Sequence, residues 1–283
     1  MRILFFGDIV GRVGRDAIKH NIEKLVNKYQ IDFIIANGEN VTHGKGLIEK
    51  HYYELLDDGI DVVTLGNHYF GKSRILDYIE DADSLVRPLN IIKDFPGVGS
   101  IVKQCNGVNI RVTNVLGTAF MHEDVVQPYQ SLKELIDSIE DEDSIHIVDF
   151  HAEATGEKMC FGYVFDGLVS AVLGTHTHVQ TNDAKILPKG TGFISDVGMC
   201  GAANGVLGFE RNSVINKTVF GSNLRFEIGN DDQEMINAVV LDIDDVTKKC
   251  KEIFTVKLLG WFLWQINVNF YLYLMKILKD VEI

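Results

Sequence analysis

The sequence lacks the features that mark secreted and intrinsically disordered proteins. It has only four prolines and four cysteines in 283 residues, and no two cysteines form a Cys-x-x-Cys pair. Scattered cysteines are typical of reduced thiols in a cytosolic protein rather than of a disulfide framework. The first apolar run, at 3–6, is too short for a signal peptide. With 46% hydrophobic and 24% charged residues, we predict a folded cytoplasmic protein.

Basic residues are scarce relative to acidic ones. The chain has 27 Lys and Arg against 40 Asp and Glu, which gives a formal net charge of −13. Because an acidic surface repels nucleic acid at long range, we predict that duplex DNA or RNA is not a partner. Bound metal ions reverse the local field, so small phosphate-ester substrates stay compatible with this charge.

Several common catalytic motifs are missing. The chain has no His-Glu-x-x-His and no Gly-x-Ser-x-Gly. Segment 7–14 is rich in glycine, but Ile9 replaces a glycine of the dinucleotide fingerprint and Asp8 would repel a pyrophosphate. Segment 43–46 lacks the Ser or Thr and the spacing of a P-loop. These routes to function are therefore excluded.

What the sequence has instead is a repeated pattern in which a short apolar run stops at a polar cluster. These runs lie at 3–6, 33–36, 62–65, 145–150, 171–173 and 193–194. Such runs are typical of strands buried on both faces. Helical periodicity appears at 15–29, 50–58 and 131–141, the last beginning with a capping box of Ser131 and Glu134. The alternation predicts a layered α/β fold.

Two segments have hairpin patterns. The runs 100–105 and 108–115 flank Asn106-Gly107, a strong signal for a type I′ turn. The runs 224–228 and 238–243 flank a polar stretch that contains Gly229 and Asn230. We therefore predict mixed sheets, within a single domain.

The C-terminal tail differs in composition from the rest. Segment 258–275 has no charged residue and contains both tryptophans. Its length reaches the lower limit for a membrane span, about 17–25 residues. Gln265, Asn267 and Asn269 would lie near the middle of such a span, where they are costly. We predict a packed C-terminal segment or a subunit contact of a homo-oligomer, with a membrane-associated segment as the alternative.

Five of the polar clusters hold residues able to bind a metal. They are Asp8, Glu39 with Asn40, Asn67 with His68, His151, and His176 with His178. Ligands from separate strand ends meet in one crevice in open α/β sheets. Each cluster alone has a simpler explanation as a turn, cap or loop, but their combination indicates a site. Oxygen and imidazole ligands without thiolate favour Mn, Fe, Zn or Co.

The His176-x-His178 spacing predicts the direction of two imidazole side chains. Residues i and i+2 of an extended strand point to the same side, so we expect both imidazoles to face one site and Thr175 and Thr177 to face away. A central Glu39 could bridge two cations, as could Asp8. So many ligands suit two metal ions, about 3.5–4 Å apart, that clamp a phosphate and ionise a bridging water.

Six blocks of the chain together resemble a known family. They are GDIVG at 7–11, NGEN at 37–40, GNH at 66–68, DFHAEAT at 149–155, GTHTHVQ at 174–180 and SDVGM at 195–199. This set is similar to the YmdB family of bacterial calcineurin-like metallophosphoesterases, over residues 1–256. The tail at 257–283 is outside the resemblance.

The resemblance implies a four-layer α/β/β/α sandwich with two mixed sheets. It also implies two divalent or trivalent metal ions, commonly iron or manganese, and phosphodiesterase activity on 2′,3′-cyclic nucleotides or related phosphate esters through a metal-bridging hydroxide. Matching positions make His68 the acid near the leaving group and Glu39 the bridge. The implied metal ligands are Asp8, Glu39, Asn40, Asn67, His151, His176 and His178.

The chain departs from the family pattern at three positions. Val10 stands where the wider superfamily has His, Tyr69 where it often has Asp or Glu, and Gly71 where this family would have Asp. Two alternatives remain open from sequence. One is a phosphomonoesterase or nucleotidase with the same metal core, and the other is a metal- or nucleotide-binding regulator with incidental hydrolysis.

Overall fold

A computed structural model of the chain describes residues 1–92, 94–139, 144–230 and 233–261. The helices are α1 (Gly11–Tyr29), α2 (Glu49–Asp57), α3 (Pro128–Ser138), α4 (Thr155–Val164) and α5 (Arg211–Thr218), with a 3₁₀ turn at Ser73–Asp77. The strands are β1 (Arg2–Phe6), β2 (Asp8–Ile9), β3 (Phe33–Asn37), β4 (Val62–Thr64), β5 (Leu85–Val86), β6 (Ser100–Cys105), β7 (Val108–Leu116), β8 (Ser144–His151), β9 (Ala171–Thr175), β10 (Lys185–Ile186), β11 (Gly192–Ile194), β12 (Met199–Ala202), β13 (Gln233–Ile243) and β14 (Cys250–Trp261).

The strands form two mixed sheets, as predicted. The first has the order β2-β12-β13-β1-β3-β4-β5, with β14 also paired to β13. Its strands β1, β3, β4 and β5 are parallel, whereas β13 is antiparallel to β1. The second has the order β10-β11-β9-β8-β7-β6, with a parallel centre and antiparallel outer pairs.

Three apolar clusters hold these layers together. Phe5 of the first sheet and Ile147 of the second lie in the cluster between the sheets. On the outer face of the first sheet, Leu4 packs in a cluster with Ile18 of α1. Phe150 lies on the outer face of the second sheet, in the cluster formed with α3 and α4. The order of layers is therefore α/β/β/α, which confirms the predicted fold.

One of the two predicted hairpins is confirmed. Asn106 (φ 50°) and Gly107 (φ 80°) have the two positive φ angles of a type I′ turn between β6 and β7. The second prediction was wrong, because 224–228 forms no strand. β13 pairs instead along its length with β14, for example Ala238 with Val256. The apolar partner of β13 lies after it in the sequence, not before it.

The helix boundaries differ most from the sequence prediction at the starts of α1 and α3. α3 begins at Pro128, which suits the first turn because its missing N–H has no helical partner there. Ser131 consequently lies inside the helix and forms no N-cap, so the predicted capping box with Glu134 was wrong. α1 begins at Gly11, four residues earlier than its apolar periodicity indicates.

The predicted tail begins inside the first sheet. β14 continues past residue 256 to Trp261, with Gly260 opposite Glu234 of β13. The remainder of the predicted tail, 262–283, lies outside the described residues. Among the described residues, no helix combines the length and apolar character that a membrane crossing requires.

Candidate metal centre

The predicted site residues follow strands of both sheets. In the first sheet Glu39 follows β3 and Asn67 follows β4, and both loops leave the carboxyl ends of parallel strands. In the second sheet His151 ends β8 and His176 follows β9, which is parallel to it. The sandwich thereby brings these four side chains to one crevice, as the pattern of strand ends predicts.

His151 lies at the centre of the crevice. Its Nε2 is 3.2 Å from Glu39 Oε1, 3.0 Å from Asn67 Oδ1 and 3.0 Å from His176 Nδ1. Donor atoms of Glu39, His151 and His176 all lie within 4.8 Å of one another, an arrangement that could hold a metal ion.

Three further predicted residues adjoin this centre. His178 Nε2 is 3.8 Å from Asp8 Oδ1 and 3.1 Å from Asn40 Nδ2. The same Asn40 amide nitrogen donates to Glu39 Oε1 at 3.1 Å. Asn40 thus turns its nitrogen, not its oxygen, toward Glu39 and His178. The amide must turn over before Asn40 can offer an oxygen to a cation between them.

The surroundings of Asp8 show whether these residues suit a metal ion. Its side chain is fully buried, Oδ2 accepts from the His176 amide at 3.2 Å, and no donor among the described residues bonds to Oδ1. Burial raises the pKa of Asp8 to about 6. A buried carboxylate oxygen without a donor is unfavourable unless a cation compensates it. The residues therefore fit a bound cation.

The charges of His151 and Glu39 support the same conclusion. Burial disfavours the protonated imidazole, but Glu39 and Asp8 outweigh burial and raise the pKa of His151 to about 9. Burial likewise opposes ionisation of Glu39, yet His151 and His68 hold the pKa of that carboxyl below its usual range. Carboxylates that stabilise a proton on the His151 imidazole also attract a metal ion to the same position.

A hydrogen-bonded relay behind His151 determines which ring nitrogen faces the crevice. Thr175 Oγ1 donates to Asp149 Oδ1 at 2.6 Å, so it can only accept from His151 Nδ1, 2.9 Å away. His151 Nδ1 therefore keeps its hydrogen, and a metal ion that displaces the second proton, on Nε2, would meet a lone pair that faces Glu39 and Asn67. A histidine ligand needs this arrangement, because the second nitrogen fixes the tautomer.

Asp149 is fully buried, and hydrogen bonds hold it in place. Thr64 Oγ1 donates to Oδ2 at 2.5 Å and Asn37 Nδ2 donates to it at 3.0 Å, in addition to the bond from Thr175. Burial raises the pKa of Asp149, whereas the donors favour the ionised, acceptor-only form. The carboxylate thus links both sheets behind the crevice.

The segment that carries His176 and His178 is not an extended strand. β9 ends at Thr175, and the two histidines have φ angles of 103° and 65°. The expectation that alternation along a strand aligns the imidazoles was therefore wrong. Thr175 contacts the far side of His151, away from the crevice. Both rings reach the crevice through a left-handed turn, whose Thr177 amide donates to Asp196 Oδ2 at 3.0 Å.

His68 lies beside the crevice, and its contacts orient it. Its amide donates to Glu39 Oε2 at 2.9 Å, and its Nδ1 is 2.9 Å from Asn40 Oδ1. Burial lowers the pKa of His68. Tyr69, which follows it, packs edge-to-face on Phe95 with ring centroids 5.0 Å apart. Asn40 therefore orients His68, rather than the residue after it.

A pocket of about 300 Å³ opens onto this crevice. Its lining residues are Glu39, Asn40, Gly44, His68, Glu153, His176, Thr177, His178, Leu207 and Phe209. Seven of these ten residues are polar, and five of them belong to the candidate centre, whereas Leu207 and Phe209 make one side apolar. The volume is at the lower end of the range for small-molecule sites, about 300–1,000 Å³.

Comparison with known proteins identifies the family. The sequence profile of the family described as YmdB-like protein matches residues 4–256, which contain the whole candidate centre. The chain belongs to the YmdB family. This confirms the membership predicted from the six sequence blocks.

The relatives of this YmdB-family chain agree in length and fold. The 2′,3′-cyclic-nucleotide 2′-phosphodiesterase of Bacillus subtilis strain 168 is 45% identical over 253 residues, 89% of this chain and 95% of that protein. The crystal structure of a phosphatase of Mycoplasma pneumoniae superposes with a TM-score of 0.87 at 40% identity, covering 95% of this chain and 98% of that one. The calcineurin-like phosphoesterase YfkN of Bacillus subtilis shares the fold alone, with a TM-score of 0.52 and 11% identity over 99% of this chain and 97% of that one.

Two departures from the family pattern have a structural explanation. Val10 is buried beneath Gly208, where an added Cβ would lie 2.6 Å from a Val10 methyl. Gly71 packs against the backbone of Gly46, and an added Cβ would lie 2.9 Å from its nitrogen. A larger residue at 71 would displace the neighbouring loop.

Sequence reasoning gave no role to several residues that support the site. Lys158 of α4 donates to Asp196 Oδ2 at 2.7 Å and to the Thr175 carbonyl at 2.8 Å, next to the two histidines of the turn. α4 was not predicted, because its N-cap, Ala154, makes no side-chain cap and gives no start signal. Asp149 and Asp196 stand in the family blocks, but their role depends on contacts between distant segments.

Replacing Thr175 with Val should weaken metal binding about 10–100-fold, because His151 Nδ1 would lose its acceptor and the imidazole its fixed tautomer. Val keeps the shape of Thr, so the change removes the hydroxyl alone. The measurement is a competition titration with a metal-sensitive chelating dye. Thr175→Ser keeps the hydroxyl and should bind metal as wild type does; equal affinities of the Val and Ser variants would contradict the relay.

Proposed function

We propose that this protein is a cytoplasmic, metal-dependent phosphodiesterase that hydrolyses 2′,3′-cyclic nucleotides. The observation that supports this most directly is the cluster of Glu39, His151 and His176, which opens into a pocket large enough for a small phosphate ester. The name of the Bacillus subtilis relative, at 45% identity, supports the same reaction. The scattered cysteines are consistent with a cytoplasmic location.

We infer that the site holds two transition-metal ions. The ligands would be Asp8, Glu39, Asn40, Asn67, His151, His176 and His178. Their oxygen and nitrogen atoms suit iron or manganese, with zinc or cobalt as alternatives. Bound there, the metal ions would neutralise charge on the phosphoryl oxygens and lower the pKa of water. Glu39 is central among the donors, 3.2 Å from His151 Nε2, which suits it to contact both ions.

His68 is the candidate catalytic residue. In the reaction the oxygen of water bonds to phosphorus, the P–O2′ bond breaks, and O2′ takes up a proton to leave a nucleoside 3′-phosphate. Once Asn40 has turned its oxygen toward the metal ions, its amide nitrogen would donate to His68 Nδ1, 2.9 Å from the amide end that faces it. Nε2 would then carry the hydrogen that is transferred. Burial lowers the pKa of His68, and the negative charge of a bound phosphate would counter that effect.

Replacing His68 with Ala should lower kcat on 2′,3′-cyclic AMP by about 10²–10⁴-fold, the usual loss for a general acid. Metal content should stay at the wild-type level, because His68 is not among the proposed ligands. The measurement combines steady-state kinetics with elemental analysis of the same preparation. An activated ester such as bis-p-nitrophenyl phosphate should lose less activity, since its leaving group needs no proton.

The controls separate the possible reasons for lost activity. His122→Ala changes an exposed histidine outside the pocket and should leave the rate unchanged. Treatment of the wild type with a chelator should abolish hydrolysis, and adding metal back should restore it. If His68→Ala loses its metal, His68 is a ligand rather than the acid. Equal losses on both substrates would also contradict the acid role.

The Mycoplasma pneumoniae relative, described as a phosphatase, favours a phosphomonoesterase as the second candidate function. The same metal core can serve both reactions. Rates on 2′,3′-cyclic AMP and on 3′-AMP distinguish them, because a phosphodiesterase stops at the monoester. A regulator with incidental hydrolysis would bind these nucleotides tightly and turn neither over.

A further inference from the structure

A tight turn forms the apolar side of the pocket. Val206 and Phe209 exchange two backbone hydrogen bonds, of 2.9 Å and 3.0 Å, around Leu207 and Gly208. Leu207 has φ 53° and Gly208 has φ 86°, so both central residues have the positive φ angles of a type I′ turn. Asn, Asp or Gly usually occupies the first of these positions, because a leucine is strained there.

Leu207 keeps this strained conformation through contacts on both sides. Its carbonyl oxygen accepts from His178 Nδ1 at 3.0 Å, and the following Gly208 rests on Val10. Its side chain is not packed in the core, since the residue is 45% exposed and lines the pocket. A strained residue whose apolar side chain projects into a site points to a role in that site.

Phe209 continues the same apolar wall. Its ring lies against Gly44, where an added Cβ would be 3.3 Å from the ring, and in front of Phe226, with centroids 5.7 Å apart. Gly44 has φ 76°, so a side chain there would be strained as well as crowded. The ring edge that lines the pocket is therefore kept open to a ligand. The pocket has metal-binding groups on one side and an apolar surface on the other.

A nucleotide likewise has one charged end and one largely apolar end, the phosphate and the flat base, which match the two sides of the pocket. We propose that Leu207 and Phe209 form the surface against which the nucleobase of the substrate packs, and so set the preference for nucleotides over smaller phosphate esters. This inference rests on the proposed function. Phosphate at the metal centre and base at the turn would bury opposite ends of one ligand in one pocket.

The test compares two cyclic phosphates on the metal-loaded protein. One is 2′,3′-cyclic AMP, and the other is the 2′,3′-cyclic phosphate of 1-O-methylribose, which has no base. For Leu207→Ala we expect KM for cyclic AMP to rise about 10-fold, the usual effect of lost apolar contact in a pocket, with kcat little changed. KM for the base-free ester should stay at the wild-type value. Equal changes on both substrates, or none, would overturn the proposal.

Two further variants guard against indirect effects. Val206→Ala alters the same turn at a residue that does not line the pocket, and should behave as wild type. Leu207→Asn relieves the backbone strain but replaces the apolar side chain, so it should raise KM as Leu207→Ala does. Both Leu207 variants should keep the wild-type metal content, since the carbonyl that contacts His178 belongs to the backbone.

A binding measurement separates this inference from the proposed function. Calorimetric titration of the metal-loaded protein with 3′-AMP and with inorganic phosphate needs no turnover. We expect wild type to bind 3′-AMP more tightly than phosphate, and Leu207→Ala to lose most of that difference. If wild type cleaves neither cyclic phosphate, the proposed function fails while this comparison still decides the role of the turn. Equal affinity of wild type for 3′-AMP and phosphate would overturn it.

Discussion

Replacing Glu39 with Gln should leave about one metal ion per chain or none, where wild type would hold about two. Glu39 is buried, and its two oxygens face different groups: Oε1 lies 3.2 Å from His151 Nε2, and Oε2 accepts from the His68 amide at 2.9 Å. Gln would turn an NH₂ group toward one of these positions. The loss of charge also removes the main attraction for cations at the centre of the site.

Elemental analysis of the purified variant measures this effect directly. Glu23→Gln, on the exposed face of α1, makes the same chemical change away from the site and should keep wild-type metal content. A circular dichroism spectrum would verify that Glu39→Gln is folded. A folded Glu39→Gln protein that retains two metal ions per chain would show that Glu39 does not bridge them.

The strand ends explain why so much of the site was predictable from sequence. Each apolar run that forms a central strand ends where its buried segment ends, and the next polar residues lie at the sheet edge. Glu39 after β3 and His151 at the end of β8 are separated by more than a hundred residues, yet their donor atoms lie 3.2 Å apart. Parallel pairing within each sheet and the facing of the two sheets produce this proximity.

Local backbone geometry was less predictable. The His176-x-His178 pattern led to two residues that line one pocket, but through the wrong geometry, because both have positive φ after the strand has ended. Positive φ is uncommon for residues other than glycine, so sequence alone did not indicate it at these two positions. Likewise, Ser131 and Glu134 have the spacing of a capping box, but Pro128 begins the helix one turn earlier.

The residues that support the site could not be predicted because their roles depend on contacts between side chains distant in sequence. Thr175 contacts His151 on a neighbouring strand, and the chain of donors to Asp149 comes from both sheets. Neither contact has a local pattern, since a threonine in a strand usually indicates only β-propensity. Such supporting residues become visible only when the strands are placed side by side.

Replacing Lys158 with Met should destabilise the protein by about 3–5 kcal/mol, because it leaves the Asp196 carboxylate buried without its partner. Both side chains are 2% exposed, and the ion pair is 2.7 Å long. Lys158 also donates to the Thr175 carbonyl, and Asp196 accepts from the Thr177 amide, so the pair holds the turn that carries His176 and His178. Thermal unfolding should therefore begin about 10 °C lower, with weaker metal binding.

A double-mutant cycle determines whether the ion pair is the cause. Asp196→Asn removes the other charge and should also destabilise the fold, whereas the double variant should lose less than the sum of the two single losses. Lys24→Met, at an exposed position of α1, is the matched control and should change the free energy of unfolding by less than about 0.5 kcal/mol. Additive losses would mean that the two residues act independently. The turn that carries His176 and His178 would then depend on the hydrogen bond that Asp196 accepts from the backbone, and not on the charge of Asp196.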